Sequence, residues 1–213
     1  MTNTEIAVLR FGGRRLARRL AALPCRDVTD AVDVDAAVEG VRRVVVVGDD
    51  ADLATVLTRL MRLERLDVEV AHVPGRLGVE VAHLPGAFGA RRATTSAAQR
   101  VPLIRDETGT VLAGAACWLP PGGARVVLGE AVVDDAVLFD GEVSGIRVEP
   151  TSSMPGLRAA VLTGGVRPRR WLSGRAVQLG TTGAQVVRDG VPVPREVQRA
   201  AFYRHVTGWL RVG

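Results

Sequence analysis

RRVVVVGDDADLATVLTRLMRL, residues 42–63, carries the architecture of the first half of the chain. Val44–Val47 is an unbroken apolar run, the pattern of a parallel strand covered on both faces. Gly48–Asp52 (GDDAD) reads as a loop. From Leu53 the period changes: Leu53, Val56, Leu57, Leu60 and Met61 fall on one side of a helix over 53–63, and Asp52 is placed to cap it. On the N-terminal side, EIAVLRF (5–11) reads as a strand, broken by Gly12-Gly13. RRLARRLAAL (14–23) follows as a helix with Leu16, Leu20 and Leu23 on its apolar stripe. DVDAAVEG (33–40) reads as a short helix capped by Asp33. On the C-terminal side, LDVEVAHV (66–73) is a further strand, ended by Pro74-Gly75. This β–α–β–α–β order predicts an α/β domain with a parallel sheet and flanking helices.

Past residue 100 the helical period disappears. VPLIRD (101–106), TVLAGAACW (110–118), the strand-rich run 125–150, RAAVL (158–162), RAVQL (175–179), AQVVRD (184–189) and FYRHVTGWLRV (202–212) alternate with Gly and Pro turns. They predict an antiparallel β-sandwich domain. The expected organisation is an α/β domain over 1–95 and a β domain over 96–213. The linker is expected within 86–100 and a cleft between the two domains.

All 28 basic side chains are arginine; the chain contains no lysine. That excludes a P-loop lysine, a Schiff-base lysine and the strand lysine of protein kinases. Phosphate handling would fall to arginine forks, backbone N–H groups or a carboxylate-held metal. Aromatics make up only 4% of residues, so Val, Leu and Ala must build the core. The net charge of +5 permits nucleic acid, anionic lipid or phosphate compounds as partners. No dense basic block supports nucleic acid. Cys25 and Cys117 match no metal or redox spacing. With no signal-peptide core and no apolar run of spanning length, the expectation is a cytoplasmic protein.

The loop 48–52 is the first candidate for chemistry. A strand-to-helix turn aims backbone N–H groups and the positive helix end at the carboxyl edge of the sheet, where α/β folds bind phosphate. Three carboxylates there repel a bare phosphate unless Mg²⁺ intervenes. The loop is therefore either a metal-bridged nucleotide site or an ordinary acidic turn. Other candidates are plainer. Glu130, Asp134, Asp135, Asp140, Glu142 and Glu149 form an acidic band that strand alternation would split between faces. His72, His83 and His205 share no ligand spacing. Arg167, Arg169 and Arg170 cluster beside Trp171, where they could meet phosphates or simply cover a loop.

The order of these segments resembles the diacylglycerol kinase and NAD kinase superfamily. VVVVGDDADLATVL sits where that superfamily carries Gly-Gly-Asp-Gly-Thr-Leu, pairing Gly48, Asp50 and Leu53 with its first glycine, aspartate and leucine. VEVAHVPGRLGVEVAHLPG (68–86), which contains Pro74 and Gly75, is similar to the stretch around Pro-x-Gly-Thr-x-Asn-Asp. VVDDAVLFDGEVSGIRV (132–148) resembles Ala-x-x-x-Asp-Gly-x-Leu-Asp-Val through Ala136, Asp140 and Gly141. Asp189-Gly190 matches the start of Asp-Gly-Glu.

The resemblance implies ATP and Mg²⁺ as cofactors and a small-molecule or lipid ligand, with peripheral membrane contact and a homo-oligomer as further options. It implies that Gly48, Asp49, Asp50, Asp52, Pro74 and Gly75 line the nucleotide, that Asp50 holds the metal and that Asp189 acts as the base toward an acceptor hydroxyl. The departures gather on the same motifs. Asp49, Ala51 and Asp52 replace two glycines and a threonine; Thr-x-Asn-Asp is missing; Val191 replaces the glutamate. The expected function is a lipid-kinase-like protein with a degenerate nucleotide site. The alternative is a non-catalytic binding or interaction protein on the same fold.

Overall fold

The computed structural model describes residues 5–74, 86–163 and 167–213. It divides into two units, one of Met1–Val101 with Gly208–Gly213 and the other of Pro102–Thr207.

The first unit runs β1 (Ile6–Phe11), α1 (Arg18–Ala21), β2 (Cys25–Val28), α2 (Ala31–Val38), β3 (Arg43–Gly48), α3 (Asp50–Arg62), β4 (Glu69–Pro74), α4 (Gly86–Thr95) and β5 (Ala98–Val101). The second carries β6 (Ile104–Asp106), β7 (Val111–Leu112), β8 (Ala116–Leu119), β9 (Val127–Val133), β10 (Ala136–Val143), β11 (Ile146–Pro150), β12 (Leu157–Thr163), β13 (Arg167–Gly174), β14 (Ala176–Arg188), β15 (Val191–Pro192) and β16 (Val197–Arg204). The last strand, β17 (Trp209–Val212), returns to the first unit.

The first unit's sheet has the order β2-β1-β3-β4-β17-β5. β1, β2, β3, β4 and β17 are mutually parallel, and β5 alone is antiparallel. Every residue of β3 is buried, as an apolar strand covered on both faces requires. The amphipathic reading of 53–63 holds: Leu53, Val56, Leu57 and Leu60 are buried on α3. Burying side chains of this size contributes about 1.5–3 kcal/mol each.

Several expectations are corrected in detail. The helix expected over 14–23 is the single turn Arg18–Ala21. The caps sit three residues earlier than expected: Asp30 rather than Asp33 for α2, and Asp49 rather than Asp52 for α3. In each helix the later aspartate is the reciprocal partner at N3. The segment expected as a linker holds α4 and β5 instead. Ala90 and Ala93 bury that helix against Val45, Val47 and Ala71, a packing that small residues do not advertise. Arg43, almost fully buried, ties the end of α4 to the sheet. Its guanidinium donates to Glu69 Oε2 at 2.6 Å, Ala93 O at 3.1 Å and Ser96 O at 2.9 Å. The run 202–212 is not one strand: it breaks after Arg204, and Trp209–Val212 leaves for the other sheet.

Within the second unit every strand pairing is antiparallel. β14 is 13 residues long and serves both halves. Its first part pairs with β16 and β9, and its last four residues pair with β8. The halves enclose one core. Trp118, Ile146, Val148, Leu157 and Ala159 face Ala131, Val133, Val177, Leu179 and Phe202 within it. Trp118 and Phe202 stack with ring centroids 5.8 Å apart.

Candidate functional site

β1 is followed by a connection to β2 on one side, and β2 connects back to β3 on the other. The carboxyl ends of β1 and β3 are therefore a topological switch point, the place where open α/β sheets form a ligand crevice. Both flanking turns come from segments already singled out: Gly12–Arg14 after β1, and Gly48–Asp52 after β3. Gly12 and Gly13 take φ of 59° and 61°, a left-handed pair that turns the chain so that Arg14 faces the β3–α3 elbow.

The elbow is held by its own carboxylates. Asp49 accepts from the Asp52 N–H at 3.0 Å, and Asp52 accepts from the Asp49 N–H at 2.8 Å. This capping box satisfies two of the amides that open α3, and the Leu53 N–H donates to the Asp49 carbonyl. Arg14 then bridges the pair. Its Nη1 donates to Asp52 Oδ2 at 2.6 Å and its Nη2 to Asp49 Oδ2 at 3.1 Å. Burial works against the Asp49 charge. The Asp52 amide and the Arg14 guanidinium outweigh it and hold the carboxyl below its usual range. Burial likewise works against Arg14, and the hydrogen bonds to Asp52 and Asp49 hold its pKa above the ordinary value. Gly48 has no room for a side chain, because an added Cβ would lie within 2.6 Å of the Asp52 Cβ.

Asp50 stands apart from this pair. Its side chain is 53% exposed, and His72 Nδ1 lies 3.9 Å from its Oδ1. His72 Nε2 lies 3.1 Å from the Gly48 carbonyl. A carbonyl only accepts, so Nε2 carries the proton and the ring is fixed against the elbow. Pro74 ends β4 opposite Gly48. Gly75, with the Arg76–Glu80 stretch and His83, lies outside the described residues.

The donors do not make a magnesium site. Mg²⁺ requires near-octahedral oxygen ligands. Two of the elbow's carboxylates are engaged by Arg14, and the third neighbours an imidazole. Among the described residues no group of three or more His, Cys, Asp or Glu side chains is placed to hold a metal ion. The elbow equally offers a polyphosphate no open cradle, since the Asp52 side chain fills the space beside Gly48.

Asp189 belongs to the second unit. With Gly190 it forms the two-residue turn joining β14 to β15, at φ of 48° and 81°. Its carboxylate accepts from Gly114 N at 2.6 Å and from Ala113 and Ala115 N at 3.1 Å each. A base must turn a lone pair toward the proton it takes. Here three backbone N–H groups claim the carboxylate, so its visible work is to fasten the β7–β8 loop.

The acidic band is similarly ordinary. Asp134 caps the Arg175 and Ala176 amides. Glu149 joins Arg147 and Arg158. Glu130 and Asp140 face each other, exposed, across β9 and β10. Sequence reading missed Arg14, whose signal was an arginine directly after a Gly-Gly strand break. It also missed Arg105, which donates to the Tyr203 hydroxyl at 2.6 Å and to His205 Nδ1 at 3.3 Å.

No protein-family model and no curated protein matches this chain. Solved structures do. A diacylglycerol kinase from Bacillus anthracis superposes with a TM-score of 0.72 at 14% identity, covering 100% of this chain and 98% of its own. A second B. anthracis chain, a candidate diacylglycerol kinase, gives 0.76 at 12% identity, covering 100% and 97%. The chain has the diacylglycerol kinase and NAD kinase fold. An ATP-bound NAD kinase from Archaeoglobus fulgidus extends the likeness, with a TM-score of 0.65 at 13% identity over 98% of this chain and 93% of its own. The kinase fold accounts for the parallel-rich sheet with its helices and for the antiparallel second unit.

Proposed function

We propose that this is a kinase-fold protein that has given up phosphoryl transfer and acts as a binding or interaction protein for a small-molecule or lipid ligand. One observation carries the reading: at the switch-point elbow, Asp49 and Asp52 take the helix-opening amides and Arg14 neutralises them. Two anionic groups already stand where the positive helix end would favour a phosphate. An incoming triphosphate would have to break the capping box, break two ion pairs and overcome carboxylate repulsion.

Phosphorylation of a lipid or small-molecule hydroxyl with Mg-ATP stays the second reading. It is favoured by the fold and by the exposed Asp50 at the first turn of α3.

Thermal denaturation with Mg-ATP separates the two. The wild-type chain should show no stabilisation at millimolar nucleotide. Asp49→Gly/Asp52→Thr, which empties the elbow, should gain a ligand-dependent rise relative to its own baseline. Saturation to 100 times Kd would correspond to about 2.7 kcal/mol. Stabilisation of the wild type by Mg-ATP, or ATP consumption with added lipid that Asp50→Asn abolishes, would sink the proposal.

A further inference from the structure

Arginines that are drawn into this structure are matched by carboxylates as a rule. Arg14, Arg43, Arg59, Arg147 and Arg188 each pair with an aspartate or a glutamate. Two half-buried arginines have no carboxylate partner among the described residues, and both belong to the second unit. Arg204 spends Nη1 on Met154 Sδ at 3.0 Å and on the Pro155 carbonyl at 2.8 Å. Arg105 is held instead by a tyrosine and a histidine.

β6 and β16 set Arg105 directly opposite Tyr203. Their neighbours Ile104 and Phe202 are each 1% exposed in the core, so strand alternation turns Arg105 and Tyr203 to the outer face. His205 follows two residues after Tyr203, and its N–H donates to the Leu103 carbonyl at 2.8 Å, which extends the pairing. The Arg105 guanidinium carbon lies 4.3 Å from the centre of the Tyr203 ring. Nη1 donates to the Tyr203 hydroxyl at 2.6 Å, and Nε donates to His205 Nδ1 at 3.3 Å.

These contacts fix a cation without neutralising it. Nδ1 accepts only while the His205 ring is neutral. Burial and the Arg105 charge both hold the His205 pKa below its ordinary value, in keeping with that role. The acidic residues that follow Arg105 are engaged elsewhere. Asp106 takes Arg188 and the Thr108 and Thr110 amides, and Glu107 takes the Ala201 N–H. Two donors are left over among the described residues: Arg105 Nη2 makes no hydrogen bond, and the Tyr203 hydroxyl accepts from Arg105 without passing its own proton on.

The chemistry of the ligand follows from these donors. A metal cation is repelled by the guanidinium. A nucleic-acid strand needs a basic track and open aromatic faces, and here one guanidinium covers one ring. A single oxyanion needs only a fixed positive charge and donors beside it. Nη2 supplies a charge-assisted hydrogen bond, and the Tyr203 hydroxyl supplies a second. We infer that Arg105 and Tyr203 form an oxyanion-binding site on the outer face of the second unit, taking a carboxylate or phosphate group of a small molecule, with His205 as the residue that positions the guanidinium. The inference does not rest on the state of the elbow in the first unit, so either can fail without the other.

Tyr203 is the only tyrosine of the chain, so its ring resonances report this site alone. Phosphate and acetate are titrated separately, with ionic strength held constant by chloride. At least one should shift Tyr203 along a saturating curve, with Kd on the order of 1 mM, and the anion that saturates at the lower concentration identifies the group. Arg105→Gln should weaken binding about 10-fold or more, the equivalent of one hydrogen bond to a charged group. Arg199→Gln removes the same charge from an exposed position of β16 and should bind as wild type. Tyr203→Phe, followed at the His205 ring, should weaken binding about 2–10-fold and decides the matter if Arg105→Gln does not fold. His205→Gln keeps an acceptor for Nε and should retain binding that His205→Leu loses. Shifts that stay linear with both anions, or that chloride alone reproduces, would be screening and would overturn the site. Equal losses in Arg105→Gln and Arg199→Gln would overturn it as well.

Discussion

Replacing Asp189 should cost stability, in an order that the turn geometry dictates. Oδ1 holds Gly114 and Ala115, and Oδ2 holds Ala113. Hydrogen bonds to a charged group contribute about 1.5–3 kcal/mol each. Asp189 is half-buried, so the low end applies, and water will re-solvate part of the loop. Asp189→Ala should therefore lose about 3–4 kcal/mol from the three bonds. About 1 kcal/mol more follows from placing an alanine at φ 48°. Asp189→Asn keeps an oxygen for Gly114 and Ala115 and tolerates the left-handed conformation, but turns an NH₂ toward the Ala113 N–H. It should lose about 1–2 kcal/mol.

Each kcal/mol lowers the melting temperature of a domain of roughly this size by about 4–8 °C. Asp189→Ala should fall by about 15 °C or more and Asp189→Asn by about 5–10 °C. Urea denaturation followed by far-UV circular dichroism and by the fluorescence of buried Trp118 provides the measurement. An Asp189→Ala variant as stable as wild type would refute the reasoning. If that variant also abolished ATP consumption in a chain that had it, the carboxylate would be a proton acceptor and its three amides a resting arrangement.

Two further outcomes follow from the same coordinates. Deleting Gly208–Gly213 removes β17 from between β4 and β5 and uncovers the edge of β4. The first unit should lose its cooperative thermal transition, and the shortened chain should aggregate, as light scattering on heating will reveal. Burial works against the Glu149 charge, but hydrogen bonds from Arg147 and Arg158 outweigh it and hold its carboxyl below the usual range. Its folded pKa lies under its unfolded value of about 4.3. Its contribution is therefore complete above that pH and fades as pH falls through the folded pKa. Urea midpoints should hold steady down to about pH 5 and decline below about 4, less steeply in Glu149→Gln.

The parts of this fold legible in the sequence are those whose evidence is local. Val44–Val47 states its own burial, and the stripe from Leu53 to Leu60 states both a helix and its inward face. The Asp-x-x-Asp spacing at 49–52 marks a helix start; which aspartate caps is a question of geometry that spacing leaves open. What escaped is the work of distant partners. Nothing in WLRV says that it pairs with β4 rather than continuing β16. The helix expected from Arg14 begins at Arg18, and Arg14 instead pairs with carboxylates 35 and 38 residues on. The strand-to-helix elbow is readable from Gly48–Asp52, and the Arg14 ion pairs that fill it are not. An arginine's partner is set by how two turns at adjacent strand ends meet.

That occupancy alters what the elbow does energetically. A phosphate loop built from glycines leaves its amides unsatisfied until ligand arrives, so the helix start is completed only in the bound state. Here the capping box satisfies them continuously, a contribution of about 0.5–2 kcal/mol for the cap. Arg14 adds a partly buried ion pair to it. Asp49 and Asp52 complete the start of α3 against β3, so replacing them must weaken the unit. Asp49→Gly frees space at the elbow and loses a cap in the same step. That coupling ties any removal of carboxylates from the elbow to a loss of stability in the first unit.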